Sequence, residues 1–148
     1  MKKILSIWSW AMLLVFCVLT FSCSKNDDNA NANFENSLSI NNEKVVIINI
    51  EVADYNGIDA WLRTSIETDK GYISFDYNWY LDNVKVGDDV TKYISINNQS
   101  CSSGTVSAIG NDKNSSDVSF ELKNATFAGI TYNGKIKIHY KVVAGQVY

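Results

Sequence analysis

From Ile130 to Val142 apolar and polar side chains alternate almost without a break. Ile130, Tyr132, Ile136, Ile138, Tyr140 and Val142 share one parity; Thr131, Asn133, Lys135, Lys137, His139 and Lys141 share the other. A period of two is the mark of a β-strand with one buried face, so this stretch reads as one long strand running through Gly134. The same period recurs upstream. Ile73, Phe75, Tyr77, Trp79 and Leu81 oppose Tyr72, Ser74, Asp76, Asn78 and Tyr80, while Val46, Ile48, Ile50 and Val52 alternate with Ile47, Asn49, Glu51 and Ala53. The 148 residues include no proline, so turns fall to Asn, Asp and Gly. No segment longer than a few turns reads convincingly as helix.

Register can be read from parity. Ile58, Trp61, Leu62, Ser65 and Ile66 also sit at helical spacing, so a helix over residues 57–68 competes with a strand. With Asp69-Lys70 as a two-residue loop, however, Ile66 faces Ile73, Thr64 faces Phe75, Leu62 faces Tyr77 and Ala60 faces Trp79. The other face pairs Arg63 with Asp76 and Ser65 with Ser74. Cross-strand pairs of this kind contribute roughly 0.2–1 kcal/mol each, and both faces agree, which favours the strand. Asn133-Gly134 has the composition of a hairpin turn, but a loop there would set Ile130 against Lys137. A turn at Ala128-Gly129 instead pairs Phe127 with Ile130 and Ala125 with Tyr132. Val118, Phe120 and Leu122 then have the wrong parity for Ala125 and Phe127, which calls for a bulge near Asn124.

About eight strands result, near 37–41, 44–54, 58–67, 72–81, 90–96, 104–109, 117–127 and 130–143. Short strands with regularly spaced turn signals imply an all-β fold, a single antiparallel β-sandwich over residues 35–148, with a small β-barrel as the alternative.

The N-terminus carries a different message. Lys2 and Lys3 precede an apolar run from Ile4 to Phe21, which ends at Ser22-Cys23. A positive start, an apolar stretch and a small residue before a cut form an export signal. Thr20-Phe21-Ser22-Cys23 resembles the lipobox of bacterial lipoproteins. That resemblance implies a signal peptide at 1–22, cleavage before Cys23 and palmitate-type acylation of its sulfur, and hence a membrane partner reached through lipid. Two or three acyl chains would hold the domain firmly, because burial yields about 0.8 kcal/mol per CH₂ and one chain alone is marginal. Residues 23–34 have the composition of a flexible tether. Ser24 directly after the cysteine, and the acidic pair Asp27-Asp28, resemble outer-membrane sorting signals and imply an outer-membrane location that can face the cell exterior. The pattern from Gly104-Thr105-Val106 through Asn133-Gly134 resembles the C-terminal half of small β-sandwich lipoproteins of unknown function. It covers about a third of the chain and implies a fold class without an activity.

Charge and cysteine content exclude several classes. Removing residues 1–22 takes Lys2 and Lys3 from the 13 basic residues, leaving 11 against 16 acids, a formal charge of −5 on 126 residues. A nucleic-acid binder would show a basic face instead. Once Cys17 is cleaved off and Cys23 acylated, Cys101 stands alone, so neither a disulfide nor a thiolate metal cage can form.

No catalytic residue and no metal site are expected. His139, the single histidine, lies on the polar parity between Lys137 and Lys141 and reads as a solvated strand residue. Cys101 falls in the polar loop Gln99–Ser103 with no base beside it. Asp112 to Lys123 fails the EF-hand pattern, with Asp117 where glycine belongs and Lys123 where glutamate belongs; Asp88, Asp89, Asp112 and Asp117 read as Asx-turn acids. Glu51, Glu67, Asp76 and Glu121 fall on outer faces, and nothing singles out a hydrolytic pair.

The aromatics are the stronger lead. Trp61, Tyr72 and Tyr80 share a parity with Asn78 beside them, a strip suited to the apolar face and hydroxyl rim of a sugar. The expectation is a non-catalytic, lipid-anchored domain that binds glycan or an envelope protein without a cofactor. A small-ligand carrier built as a lipocalin-like barrel, and a carboxylate-dependent hydrolase, are the alternatives.

Overall fold

A computed structural model describes residues 34–144. The expected signal peptide, Cys23 and nearly all of the expected tether lie outside the described residues. The fold is all-β: β1 (Ser37–Ile40), β2 (Glu43–Val45), β3 (Ile47–Ile50), β4 (Ala53–Asn56), β5 (Trp61–Thr68), β6 (Gly71–Tyr77), β7 (Ile94–Ile96), β8 (Gln99–Asp112), β9 (Asp117–Phe127) and β10 (Ile130–Val142). Two 3₁₀ turns, Leu81–Asn83 and Thr91–Tyr93, lie between β6 and β7. No helix among the described residues is long and apolar enough to cross a membrane.

The long strand β10 organises the molecule because both of its edges are used. β9 runs antiparallel along one edge, from Ile130↔Phe127 to His139↔Asp117. On the other edge β1 pairs with residues 132–135, and β4 runs parallel to residues 140–142. From β4 the ladder continues through β5, β6, β7, β8 and β9 back to β10, closing a seven-strand ring, with β1 and β2 attached to β10 and β3 to β5. A ring of this kind fits the small-barrel alternative better than the expected sandwich. Its interior is filled. Phe75, Tyr77, Phe120 and Phe127 are fully buried together with Leu62, Ile66, Leu122, Ile136 and Ile138, and Phe120 lies 5.3 Å from Phe75 and 5.6 Å from Tyr77 between ring centroids.

The local chemistry explains the turns. Asn41-Asn42, Asn97-Asn98 and Ala128-Gly129 all have positive φ, the backbone that two-residue hairpin loops with a right-handed twist demand and that Asn and Gly tolerate best. The β5–β6 register is Arg63↔Asp76, Thr64↔Phe75, Ser65↔Ser74 and Ile66↔Ile73, around the Asp69-Lys70 loop. The turn at Ala128-Gly129 pairs Phe127 with Ile130 and Ala125 with Tyr132, and β10 runs unbroken through Gly134. Parity on β9 switches near Asn124, whose φ is 50° and whose N–H donates to Asn133 Oδ1 at 2.7 Å. A Cβ on Gly134 would lie 2.1 Å from the Ser37 carbonyl oxygen, so β1 packs on β10 only because that residue is glycine.

Four expectations are corrected. The strand at 44–54 is three short strands. Val45 completes the β2 ladder with β1, Ile47 already pairs with β5, and the register shifts between Ile47 and Asn49. Val46, Ile48 and Val52 therefore face solvent while Val45 and Ala53 are buried and Ile47 and Ile50 both pack partly against the core, so no single parity holds across the stretch. The strand at 72–81 stops at Tyr77, so Ala60, in a turn with φ of 51°, does not face Trp79. The strand at 90–96 is reduced to β7 after a 3₁₀ turn. The strand at 104–109 extends over Gln99–Asp112, which places Cys101 opposite Phe127 in a ladder instead of a loop.

Residues 78–93 fill the space beyond the short β7. Gly87 N–H donates to Ala108 O and Val90 N–H to Val106 O, so the segment takes a strand's place beside β8. Leu81 N–H donates to the Tyr55 hydroxyl on β4 (3.1 Å), and Asn111 Nδ2 on β8 donates to Leu81 O (2.8 Å). With Leu81, Val84 and Val90 buried, the segment caps this end of the barrel.

Candidate functional site

The four residues expected to bind ligand do not form one strip. The β5–β6 ladder ends at Leu62↔Tyr77, one pair short of Trp61 and Asn78. Trp61 is half-buried at the start of β5, with the Arg63 guanidinium 5.2 Å from its ring centre. Tyr72 is 69 % exposed at the hairpin end of β6. Six residues separate it from Asn78, about 20 Å along a strand, too far to share one sugar ring. Beside Tyr72, Glu67 raises the phenol pKa by accepting its proton in a hydrogen bond.

Of the four, Tyr80 falls beside an aromatic group that the parity reading assigned partly to the core. Because the strand ends at Tyr77, Trp79 turns outward and is 40 % exposed. It stacks on Tyr93 at 4.9 Å and 11°, and meets Tyr80 edge-on at 5.5 Å. Asn78 N–H donates to Tyr93 O at 2.7 Å, which fixes the two segments side by side. Lys92 Nζ lies 4.7 Å from the Tyr93 ring centre, a cation–π contact.

Trp79 and Tyr93 also line an open surface depression of about 260 Å³, together with Tyr77, Asn83, Asp88 and Lys92. Its polar groups are positioned by the backbone. Asp88 Oδ2 accepts from Lys85 N–H at 2.8 Å, and Asp89 Oδ1 accepts from the Thr91 N–H and hydroxyl. Those Thr91 bonds hold the Asp89 carboxyl below its usual pKa. Tyr77 is different: its ring is fully buried, and its hydroxyl has no hydrogen-bond partner among the described residues. Burial, reinforced by Tyr93, Tyr55 and Asp88, pushes this phenol well above its ordinary range, so it stays neutral and can both donate and accept.

Sequence reasoning turned Trp79 inward because it carried the alternation beyond the strand's end, and it could not bring Tyr93 beside Trp79 because a 3₁₀ turn replaces the strand expected there. Asp82-Asn83 just downstream was the available signal, since paired turn formers announce that pairing is about to stop.

A second depression of about 570 Å³ lies where β1 and β4 leave part of the β10 edge uncovered. Its lining includes Asn36, Lys44, Val46, Ile48, Asp117 and His139. Asn36 Oδ1 accepts from Lys137 N–H at 2.7 Å on that edge. His139 is exposed, as expected of a solvated strand residue, and its Nδ1 lies 3.0 Å from Asp117 Oδ1. Ser115 Oγ bonds the same carboxylate at 3.0 Å. Hydroxyl and imidazole thus both address Asp117, whereas a nucleophilic relay needs the hydroxyl on the imidazole.

The remaining candidates are absorbed by local structure. Cys101 Sγ donates to Ser103 O at 3.0 Å and packs partly against the core. Asp112 Oδ1 accepts from Asn114 N–H, an Asx turn that lowers the Asp112 pKa. Among the described residues no group of three or more acids, histidines or cysteines could hold a metal ion. Asp76, expected on an outer face, is only 5 % exposed, because β6 is flanked there by Arg63 on β5 and Ser95 on β7. Burial raises its pKa against the opposing pull of Arg63, whose Nε is 3.4 Å away. Glu121 is committed to Lys123 at 2.9 Å. Comparison of the chain with protein-family models, curated proteins and solved structures finds no match.

Proposed function

We propose that the chain is an outer-membrane lipoprotein, anchored through acyl chains on Cys23, whose barrel is a non-catalytic binding domain. Of the two expected partners, glycan and envelope protein, the site chemistry favours glycan. The observation that carries this reading is the Trp79–Tyr93 stack, beside Tyr80 and forming part of the wall of an open depression that Asn83 and Asp88 also line. Exposed aromatics that cluster tend to mark contact surfaces. Aromatic planes next to amide and carboxylate groups match the C–H face and hydroxyls of a sugar. The filled barrel interior favours recognition at the surface over carriage inside.

Anchoring is tested by Cys23→Ala, which should leave an unprocessed precursor without acyl label; normal cleavage and membrane retention would overturn it. Protease added to intact cells tests surface display, and complete protection would place the domain on the periplasmic side. Binding is tested by retention of the anchored protein on a panel of immobilised polysaccharides. Trp79→Ala should weaken retention by more than about 1 kcal/mol, as loss of an anchor aromatic does. Equal retention of Trp79→Ala and the parent would overturn this surface.

A further inference from the structure

We infer that the depression between β3 and β10 is a strand-docking slot for an extended segment of a partner protein, one whose apolar side chains alternate with acidic ones. It shares no lining residue with the Trp79 depression and is independent of the glycan-binding reading. The barrel wall is incomplete there on both sides. Among the described residues β3 pairs only with β5, so its second edge carries no strand. On β10, β1 covers residues 132–135 and β4 covers residues 140–142, which leaves the edge of residues 136–139 open between them. β3 and β4 both run antiparallel to β5, and β4 runs parallel to β10. The two free edges therefore run the same way, and one chain can lie antiparallel to both. Four residues of edge are about 13 Å long, room for a short extended segment.

Backbone groups on both edges face the slot. Val46 sends its N–H to Asp69 Oδ1 and its carbonyl accepts from Asp69 N–H, so the N–H and carbonyl of Ile47 point away from β5, as successive residues of a strand alternate. On the opposite wall Lys137 N–H is met by a side-chain oxygen, Asn36 Oδ1, where a neighbouring strand would offer a carbonyl. Exposed edge strands are ordinarily guarded by charged side chains or proline. Val45 to Ile50 contains neither, and Val46 and Ile48 stand about three-fifths exposed. Ile47 and Ile50 pack against the core yet stay only partly buried; apolar side chains on an inserted strand would cover them. Charge sets the other parity. Lys44, Lys137 and His139 stand in the lining against Glu35 and Asp117. Asp117 is already shared by Lys137, His139 and Ser115, so an acidic side chain of the partner is the one complemented there.

The probe is a fluorescein-labelled peptide of alternating valine and aspartate, seven residues long by design (~23 Å extended). It is titrated into membrane-extracted protein in detergent micelles and followed by anisotropy. Saturable binding is expected, with slower amide exchange at Ile47 in the complex. Methylating two central backbone amides of the peptide should weaken binding about tenfold or more, the scale of two neutral hydrogen bonds. A peptide with lysine in place of aspartate should bind several-fold more weakly. Ile48→Lys puts a charge on a position that is already exposed, so the fold is kept, and it should also weaken binding about tenfold. Equal affinity of the methylated and parent peptides would overturn the inference, and that comparison needs no protein variant. Absence of saturable binding, or tighter binding of the lysine peptide, would overturn it too. Concentration-dependent dimers that Ile48→Lys dissolves would assign the edge to a second copy of the chain instead. Binding seen only after deletion of residues 25–33 would assign the slot to the chain's own tether, and either result would overturn the partner-segment reading.

Discussion

Residues 44–56 and 130–142 are equally rich in β-branched and aromatic side chains, yet they fold in opposite ways. The second stretch is one strand with a buried face, in which Tyr132, Ile136, Ile138 and Tyr140 point inward. The first has Val45, Val46, Ile47 and Ile48 in succession, so whichever parity faces the core, two of the four must face out. It breaks into three strands that change partner from β1 to β5, and Val46 and Ile48 are left about three-fifths exposed. Alternation fixes a strand because a slip of one residue would turn its whole apolar set to water. A run that is apolar on both parities carries no such constraint, and its partners decide.

The contrast can be broken at several points. The largest effect is expected at Gly134, where φ is 143° and an added Cβ would strike the Ser37 carbonyl. Gly134→Val should cost about 3 kcal/mol or more, combining backbone strain with overpacking. A shift near zero in the urea midpoint would mean that β1 does not lie on β10 there. Ile138→Ala should cost about 2–5 kcal/mol as a fully buried truncation, whereas Ile48→Ala should stay within about 0.5 kcal/mol. Similar losses at both would erase the distinction between the two runs.

Smaller effects sharpen the neighbouring β5–β6 pair. The swap Arg63→Asp with Asp76→Arg should recover part of what each single variant loses, with a coupling of about 0.2–1 kcal/mol. Zero coupling would deny the pairing. Asp76 also sets a pH dependence. Its folded pKa is raised, so the folded state binds the proton more tightly than the unfolded chain does. Its contribution is therefore fully present below the unfolded carboxyl pKa and is lost as pH rises through the raised folded value. Asp76→Asn should flatten that part of the stability–pH curve, and an unaltered slope would contradict the assignment.

What was legible in the sequence was local. The β5–β6 register, the Ala128-Gly129 turn and the switch near Asn124 each follow from parity plus turn chemistry within about twenty residues. Closure of the barrel was not legible. It depends on the parallel pairing of Ala53 with Tyr140, and no period in either segment encodes a partner so distant. The candidate site was hardly legible, for a related reason. Parity alone turns Trp79 inward, and that parity lapses at Tyr77. The stacking partner of Trp79, Tyr93, arrives from a segment whose position is set by the bonds of residues 87–90 to β8. Asp76 shows the same limit on burial: its outward parity was read correctly, but the flanking strands cover it.

The central structural claim is that β10 closes the barrel through both edges while residues 44–49 are held only at intervals. Native-state amide hydrogen exchange tests both halves at once. Tyr140 N–H, bonded to Ser116 O, and Val143 N–H, bonded to Tyr55 O beside the β4–β10 clasp, should exchange only by global unfolding. Val46 N–H, held by the exposed Asp69 side chain, should exchange by local opening at far lower free energy. Equal protection at Val46 and Tyr140, or rapid exchange at Val143, would contradict the closed barrel.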